Sequence, residues 1–284
     1  MKAAISGSTG FMGSEMVNTL SGQGYEIIPL SRKDIYGPPQ ALSHQLEGAT
    51  VVIHLAGAPL HKRWTRKQKE AIYDSRIDTT RKLVQAMALL SQKPEVFICA
   101  SGANIYPEEG THTEDSEAIA EGFLGNVCRD WEREAARASA FCRTLHFRFG
   151  MVLGQGGGAL EKMKLPFKLF VGGPVAGGKQ MVSWVQMQDV LGVLQFALKT
   201  PALAGPVNVC SPNPVNNATF SKALGKALHR PAWMPVPAFA VRLLYGEMAT
   251  MVTHGVTALP KKLTHLGYTF KHPDIGEALN RSVE

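Results

Sequence analysis

No apolar run in the sequence approaches the roughly 20 residues needed to cross a bilayer. The N-terminus, Met1-Lys2-Ala3-Ala4-Ile5, runs straight into glycines rather than into the apolar stretch of a signal peptide. A cytoplasmic location without membrane association is therefore expected. Cysteine is scarce and scattered, the four being Cys99, Cys128, Cys142 and Cys210. Neither a Cys-x-x-Cys pair nor a His-Glu-x-x-His run occurs, so no metal ligand is assigned and the thiols read as reduced and buried. The Gly-x-Ser-x-Gly elbow of serine hydrolases is missing as well. One stretch, Gly173 to Lys179, imitates an ATP-binding phosphate loop, but Gln180 stands where a Ser or Thr must ligate magnesium.

What is present points to an α/β protein. The chain has 284 residues, 45% hydrophobic and 19% charged, which suits one large domain or one domain with a smaller lobe. Apolar segments of strand length at 2–6, 25–30, 51–55, 96–100, 143–149 and 206–210 alternate with stretches of helical period. The helices are expected at 11–21, about 66–90, about 117–140 and 190–198, then 220–228, near 239–248 and 274–281. Such alternation makes βαβ units and a parallel sheet. Residues 154–179 are rich in glycine and read as an insertion that leaves the sheet. The expected division puts 1–153 and about 181–211 in the main domain, with about 154–180 and 212–284 in a small C-terminal substrate lobe.

The net charge is +7, and residues 61–82 hold eight Lys or Arg against three acids. A run like this can bind nucleic acid or an anionic ligand. The favoured reading is a solvated helix face, because no nucleic-acid module accompanies it.

The strongest motif is Gly7-Ser8-Thr9-Gly10-Phe11-Met12-Gly13, directly after the first strand and opening the first helix. Gly7 permits a tight turn, Gly10 lets backbone approach a pyrophosphate, and Gly13 lets helix and strand pack closely. Free N–H groups at a helix N-terminus hold anions. Gly7, Thr9, Gly10, Phe11, Met12 and Gly13 are thus the expected pyrophosphate-binding set, on a Rossmann-type doubly wound parallel sheet. The second strand ends in Leu30-Ser31-Arg32-Lys33. An NAD-specific site places a carboxylate there for the ribose 2′-OH, whereas a hydroxyl and a guanidinium attract a 2′-phosphate. Ser31 and Arg32 therefore point to NADP(H), with Asp34 as the competing residue two positions further on.

The Gly-x-x-Gly-x-x-Gly spacing resembles that of the extended short-chain dehydrogenases/reductases. The resemblance continues through His54-Leu55-Ala56-Gly57-Ala58-Pro59, Ala100-Ser101-Gly102-Ala103-Asn104-Ile105-Tyr106 and Arg148-Phe149-Gly150-Met151-Val152-Leu153-Gly154. It implies that Leu55, Ala56 and Gly57 lie against the adenine side of the cofactor, in a segment that follows the fourth strand of that superfamily. It also implies cofactor contacts from Ser101 and, beside the nicotinamide, from Arg148, Gly150 and Val152. Further matches run along the chain: Lys62-Arg63-Trp64-Thr65, Ser75-Arg76, Trp131-Glu132, Ser183-Trp184, Gly205-Pro206-Val207-Asn208 with Ser211-Pro212, Gly246-Glu247 and Leu259-Pro260-Lys261. These are similar to a branch named epimerase family proteins, some of whose members bear a cell-division-inhibitor label. That branch carries its own short C-terminal domain.

Members of the wider superfamily work with a Tyr-x-x-x-Lys pair, the Lys lowering the Tyr pKa, and a nearby Ser or Thr. None of Tyr25, Tyr36, Tyr73, Tyr106, Tyr245 and Tyr268 has Lys four residues on. Alignment on Trp131-Glu132 puts Leu124 and Cys128 at the pair's positions, and Gly102 where the Ser or Thr would stand. Ordinary sugar-nucleotide epimerase or dehydratase chemistry is accordingly not expected. Tyr106 is the remaining catalytic candidate, and Lys62, Arg63 and Trp64 are candidates to hold an anionic, planar substrate group. The expectation is an NADP(H)-binding, oxidoreductase-like protein with a small-molecule substrate. The alternative is a non-catalytic sensor or regulator that reads the NADP(H) state.

Overall fold

The computed structural model describes residues 1–283. The first half runs β1 (Lys2–Ser6), α1 (Phe11–Gly22), β2 (Glu26–Leu30), α2 (Arg32–Tyr36), α3 (Pro39–Leu46), β3 (Ala49–His54) and α4 (Arg66–Leu89). It continues through β4 (Val96–Gly102), β5 (Thr111–His112), α5 (Phe123–Ala136), β6 (Arg143–Phe149), β7 (Met151–Leu153) and α6 (Gly158–Lys168). Next come β8 (Met181–Val182), β9 (Trp184–Gln186), α7 (Met187–Lys199), β10 (Gly205–Val209), β11 (Val215–Asn216) and α8 (Asn217–Ala227). The chain ends with α9 (Ala238–Tyr245), α10 (Thr250–Thr253), β12 (Thr257–Ala258), α11 (Lys261–His265) and α12 (Ile275–Val283).

Six strands form one parallel sheet in the order β10-β6-β4-β3-β1-β2. Helices cover it, so β3 and β4 are buried almost throughout, which is why they read as unbroken apolar runs. The chain leaves β1 toward β2 and then returns to the other side at β3. Such a switch point opens a crevice at the carboxyl ends of the strands. The register brings those ends level, with Ser6 opposite both Leu30 and His54. His54 locks the junction from inside: its Nδ1 lies 2.5 Å from Ser6 Oγ and its Nε2 lies 3.1 Å from Thr79 Oγ1 on α4.

The structure adds several short strands and the helix α11 to the expected elements, and it differs from the sequence reading in three places that bear on the site. Residues 32–46 form two short helices where none was expected, so the segment beginning at Leu55 follows the third strand, not a fourth. The helix expected from about 117 begins at Phe123, after Gly122 at φ 97, and the preceding residues form a loop tied by Ala120 N–H to the Ile105 carbonyl. The insertion at 154–180 contains the eleven-residue α6.

A second core, with Leu160, Phe167, Trp184, Phe220, Leu224 and Leu279, holds the lobe together. Met248, Leu263 and Phe270 return to the main core beside the sheet. No helix among the described residues is long and apolar enough to cross a membrane.

Candidate functional site

The glycine turn after β1 is built on close contacts. Gly7 has φ 73, and a Cβ there would meet the Ala56 nitrogen at 3.0 Å. A Cβ on Gly13 would collide with the Gly7 carbonyl oxygen, so α1 can approach β1 only without one. Ser14 N–H donates to the Gly10 carbonyl at 2.9 Å as α1 begins, with Phe11, Met12 and Gly13 in its first turn. No acidic side chain occupies that turn and no side chain caps it, so the helix end is electropositive. The Phe11 ring is turned away to pack against the 154–158 loop, where a Cβ on Gly157 would lie 2.7 Å from it. What Phe11 can give an anion is its backbone N–H.

At the end of β2, Ser31 and Asp34 form a capping box. Ser31 N–H donates to the Asp34 carboxylate at 2.7 Å, and Asp34 N–H donates to Ser31 Oγ at 3.2 Å. The Ser31 hydrogen bonds hold the Asp34 carboxyl below its usual range. Asp34, the competing residue of the sequence reading, is thus turned back on its own helix. Arg32 is exposed, its guanidinium 5.5 Å from the Tyr36 ring centre, and Lys82 of α4 lies 5.9 Å from the same ring.

The ends of β4 and β6 carry a buried polar chain. Glu132 of α5 accepts from Ser101 Oγ at 2.6 Å and takes two bonds from Arg148, Nε at 2.8 Å and Nη2 at 2.7 Å. Arg148 Nη1 donates to the Tyr106 hydroxyl at 2.6 Å, and that hydroxyl donates to Asn208 Oδ1 at 2.8 Å. Burial disfavours the Arg148 charge, but the Glu132 bonds and charge more than offset it and hold its pKa above the usual range. Tyr106 is 1% exposed and stacked on His112, and burial raises its pKa despite Arg148. These facts correct one expectation. Tyr106 is not a free proton donor, because its hydroxyl both donates and accepts inside the protein. The Ser101 hydroxyl and the Arg148 guanidinium are both bonded to Glu132. Gly150 has a packing reason too: a Cβ there would lie 2.6 Å from the Ser183 carbonyl oxygen.

Leu124 and Cys128 sit one turn apart on α5, and a Cβ on Gly102 would lie 3.5 Å from Cys128 Sγ. Burial pushes the Cys128 thiol up to about 11, so it is neutral at pH 7 and no nucleophile. Near it lies a residue the sequence reading passed over as a family marker. Arg76 of α4 is 9% exposed, and its Nη1 donates to the Ala58 and Ile72 carbonyls at 3.2 and 3.1 Å. Its place beside the crevice could have been suspected only from a lone Arg on the apolar face of a helix. Among the described residues no cluster of three or more His, Cys, Asp or Glu could hold a metal ion.

A family model described as the NAD dependent epimerase/dehydratase family matches residues 3–210, and a domain of unknown function, DUF1731, matches 236–281. The chain belongs to the NAD-dependent epimerase/dehydratase family. Its relatives include the epimerase family protein YfhF of Bacillus subtilis, 35% identical over 302 residues and covering 100% of this chain and 98% of its own. The epimerase family protein SDR39U1 of Mus musculus is 35% identical over 295 residues, covering 100% of both. Among solved structures, human SDR39U1 with NADPH has a TM-score of 0.91 at 30% identity, covering 99% of each chain. UDP-glucuronic acid 4-epimerase of Bacillus cereus shares the fold, with a TM-score of 0.81 at 18% identity over 99% of this chain and 98% of its own.

In this epimerase-family chain the loop after β3 divides between core and surface. Trp64 is buried, its indole N–H donating to the Leu60 carbonyl at 2.9 Å and its ring edge-on to Phe123 at 5.3 Å. It anchors the loop to α5 and does not offer a face to a planar substrate, contrary to expectation. Lys62 and Arg63 are exposed, and Arg63 Nε would lie 3.2 Å from a Cβ on Gly246 at the end of α9. Just beyond α9, Lys69 pairs with Glu247, and Phe239, Leu243 and Leu244 of α9 itself are exposed. The basic run at 61–82 is therefore broken up: Arg76 is buried, and Arg66, Lys69 and Arg81 are paired with acids.

Proposed function

We propose that the chain is a cytoplasmic, NADP(H)-binding oxidoreductase of the extended short-chain dehydrogenase/reductase type, acting on a small molecule. The observation that carries the cofactor choice is the capping box at the end of β2. It withdraws Asp34, while Arg32 stays exposed for a 2′-phosphate. The NADPH-bound structure of the similar human protein supports the same choice. The crevice fits a dinucleotide, since a Cβ at Gly13 would close the approach of α1 to β1 and the N-terminus of α1 carries no competing acid.

In this reading the backbone of Gly7, Thr9, Gly10, Phe11, Met12 and Gly13 holds the pyrophosphate, and Ser31 and Arg32 hold the 2′-phosphate. Leu55, Ala56 and Gly57 line the crevice after β3, and the backbones of Ser101, Arg148, Gly150 and Val152 border it beyond β4. The cofactor supplies or accepts a hydride, and the chain orients it. Lys62 and Arg63, both exposed and with Arg63 beside Gly246, suit a substrate with an anionic end.

A second reading, a sensor that binds NADP(H) without turnover, is favoured by Leu124 and Cys128 at the positions of the acid–base pair and by the internal bonds of Tyr106. Oxidation of NADPH by any member of a carbonyl panel separates the two. The first experiment titrates wild type and Arg32→Ala with NADPH and NADH and follows thermal stabilisation, which must rise as ligand binds the native state. The expected result is strong stabilisation by NADPH, weak by NADH, and loss of the difference in the variant. A charge-assisted hydrogen bond of about 1.5–3 kcal/mol corresponds to roughly a 10–100-fold preference. Equal response to both cofactors in wild type refutes the role of Arg32, and no response to either refutes cofactor binding.

A further inference from the structure

We propose that the lobe docks on an anionic membrane surface, with α9 and the end of α6 set among the lipid headgroups and the neighbouring cations against the phosphates. Such a contact needs one amphipathic face and no spanning helix, and it stands independently of the cofactor reading.

A surface helix ordinarily buries its apolar side chains and shows its polar ones. In α9 the order is reversed. Its eight residues include one charged side chain, Arg242, and Val241 is the one that is buried. Phe239 and Leu243, one turn apart, are 73% and 76% exposed, and Leu244 is 69% exposed. The end of α6 repeats the pattern. Leu165 and Leu169, one turn apart, are exposed, and Lys162 stands one turn before Leu165 on the same face. Residues 165–171 and 233–245 together hold nine of the thirteen large apolar side chains that are exposed among the described residues. Single exposed apolar residues are ordinary, but a concentration of them marks a contact surface.

Backbone hydrogen bonds join the two segments. Met234 N–H donates to the Gly172 carbonyl at 3.3 Å, Val236 N–H to the Pro174 carbonyl at 2.8 Å, and Ala176 N–H to the Val236 carbonyl at 2.9 Å. Trp233, exposed at one end of this ladder, is at most about 18 Å from the start of α9 even along a fully extended chain. Beside the ladder Phe170 holds φ 63, a conformation rare for a bulky residue, with its exposed ring 4.8 Å from the Arg230 guanidinium.

Charge selects the occupant. Residues 162–179 and 222–246 contain eight Lys or Arg and no Asp or Glu. Glu161, at the border, is paired with Lys164. A second copy of the chain is a poor occupant, because a two-fold contact would set these cations against their own copies. An anionic surface complements them. Protein partners seat their anchors in shaped pockets, whereas the headgroup region accepts aromatic and leucine side chains that stand clear of the surface, with Lys and Arg around them. Partial burial, then the charges of Lys162 and Lys62, lower the His61 pKa, so α6 stands beside the loop that follows β3. The docking face thus borders the candidate site.

The test is flotation of the full chain with vesicles of phosphatidylcholine alone and of phosphatidylcholine with phosphatidylglycerol in equal parts. Tryptophan fluorescence is read in parallel, since Trp64, Trp131 and Trp184 are buried and Trp233 is the exposed one. Wild type should float with the anionic vesicles, not with the neutral ones, and should release with salt. Its emission should shift to the blue, and Trp233→Phe should abolish the shift. Phe239→Gln with Leu243→Gln should weaken binding by about tenfold or more, and Arg230→Gln or Arg242→Gln by about fivefold each. If the glutamine pair fails to fold, Leu243→Gln alone decides. No flotation overturns the proposal, as does equal flotation with neutral vesicles. Anionic binding that neither shifts Trp233 nor responds to Phe239 and Leu243 is adsorption by net charge alone and overturns it too. A shift produced by polyglutamate and not by vesicles assigns the face to an acidic protein. Concentration-dependent dimerisation that the glutamine pair abolishes, without vesicle binding, assigns it to a second copy; either result refutes the membrane contact.

Discussion

His54 illustrates how one side chain can tie a fold to pH. It is fully buried, and the Thr79 hydroxyl near its Nε2 already donates to the Ser75 carbonyl at 2.7 Å. Nε2–H therefore donates to Thr79, and Nδ1 accepts from Ser6, which fixes the neutral tautomer. Burial first, then the Arg76 charge, lowers its pKa from 6.5 to about 3. A histidine depressed in this way stabilises the fold fully above its unfolded pKa and loses that contribution as pH falls toward the folded value. Stability should therefore decline from pH 6.5 toward pH 3. His54→Gln, which cannot take up the proton, should remove a slope of up to about 1.4 kcal/mol per pH unit from that window. Urea unfolding of both proteins across the range measures the difference, and parallel profiles would show that His54 does not titrate with unfolding. Glu132 works differently. Its carboxylate gathers Ser101 and Arg148 into one buried group, so those residues serve the fold through their side chains.

At the level of elements, α2 depends on its cap more than on its sequence. Five residues are too few to be stable alone, and the reciprocal Ser31–Asp34 bonds satisfy two backbone donors at its start. Asp34→Ala should cost about 1 kcal/mol while leaving the preference for NADPH over NADH intact. Denaturant unfolding gives the first value and paired cofactor titrations give the second. A switch toward NADH would mean that Asp34 repels a competing feature of the site rather than capping the helix. Short helices such as α2 escape notice in a sequence because one turn gives no period to recognise. The long α4 was legible from Ile72, Thr79, Leu83 and Met87, all buried at helical spacing.

Across the whole molecule, Asp189 joins the C-terminal segment to the main domain. Buried at the start of α7, its carboxylate accepts from Lys271 N–H at 2.7 Å, His272 N–H at 2.9 Å and the Tyr268 hydroxyl at 3.3 Å. Asp189→Ala leaves the Lys271 and His272 N–H groups without an acceptor, while the Tyr268 hydroxyl keeps its bond to the Asp189 backbone carbonyl at 3.1 Å, and should cost about 3 kcal/mol. Limited proteolysis should then cut near residues 268–275 well before the sheet is attacked, and an unchanged digestion pattern would show that the apolar contacts of Phe270 hold the segment alone. The Tyr268 ring, packed edge-on to Phe196 and Phe270, is what such a cut would release.

The sequence by itself determined the six strands of the main sheet with the long helices between them, the glycine turn and the family, because strand length, helical period and tight-turn chemistry are local properties written in neighbouring residues. It determined too that no tyrosine has lysine four residues on. Only the tertiary structure decided which polar side chains meet the crevice. Tyr106 bonds Arg148 across 42 residues and Asn208 across 102, and no spacing along the chain reveals that pairing. The same holds for Trp64, which turns inward to Phe123, and for Asp34, which turns back to Ser31 although the chain leaves both turned either way. Arg76 is the converse case. In the sequence it is a family-matching residue with no role assigned, and only the close approach of Gly57 from another element shows its buried place.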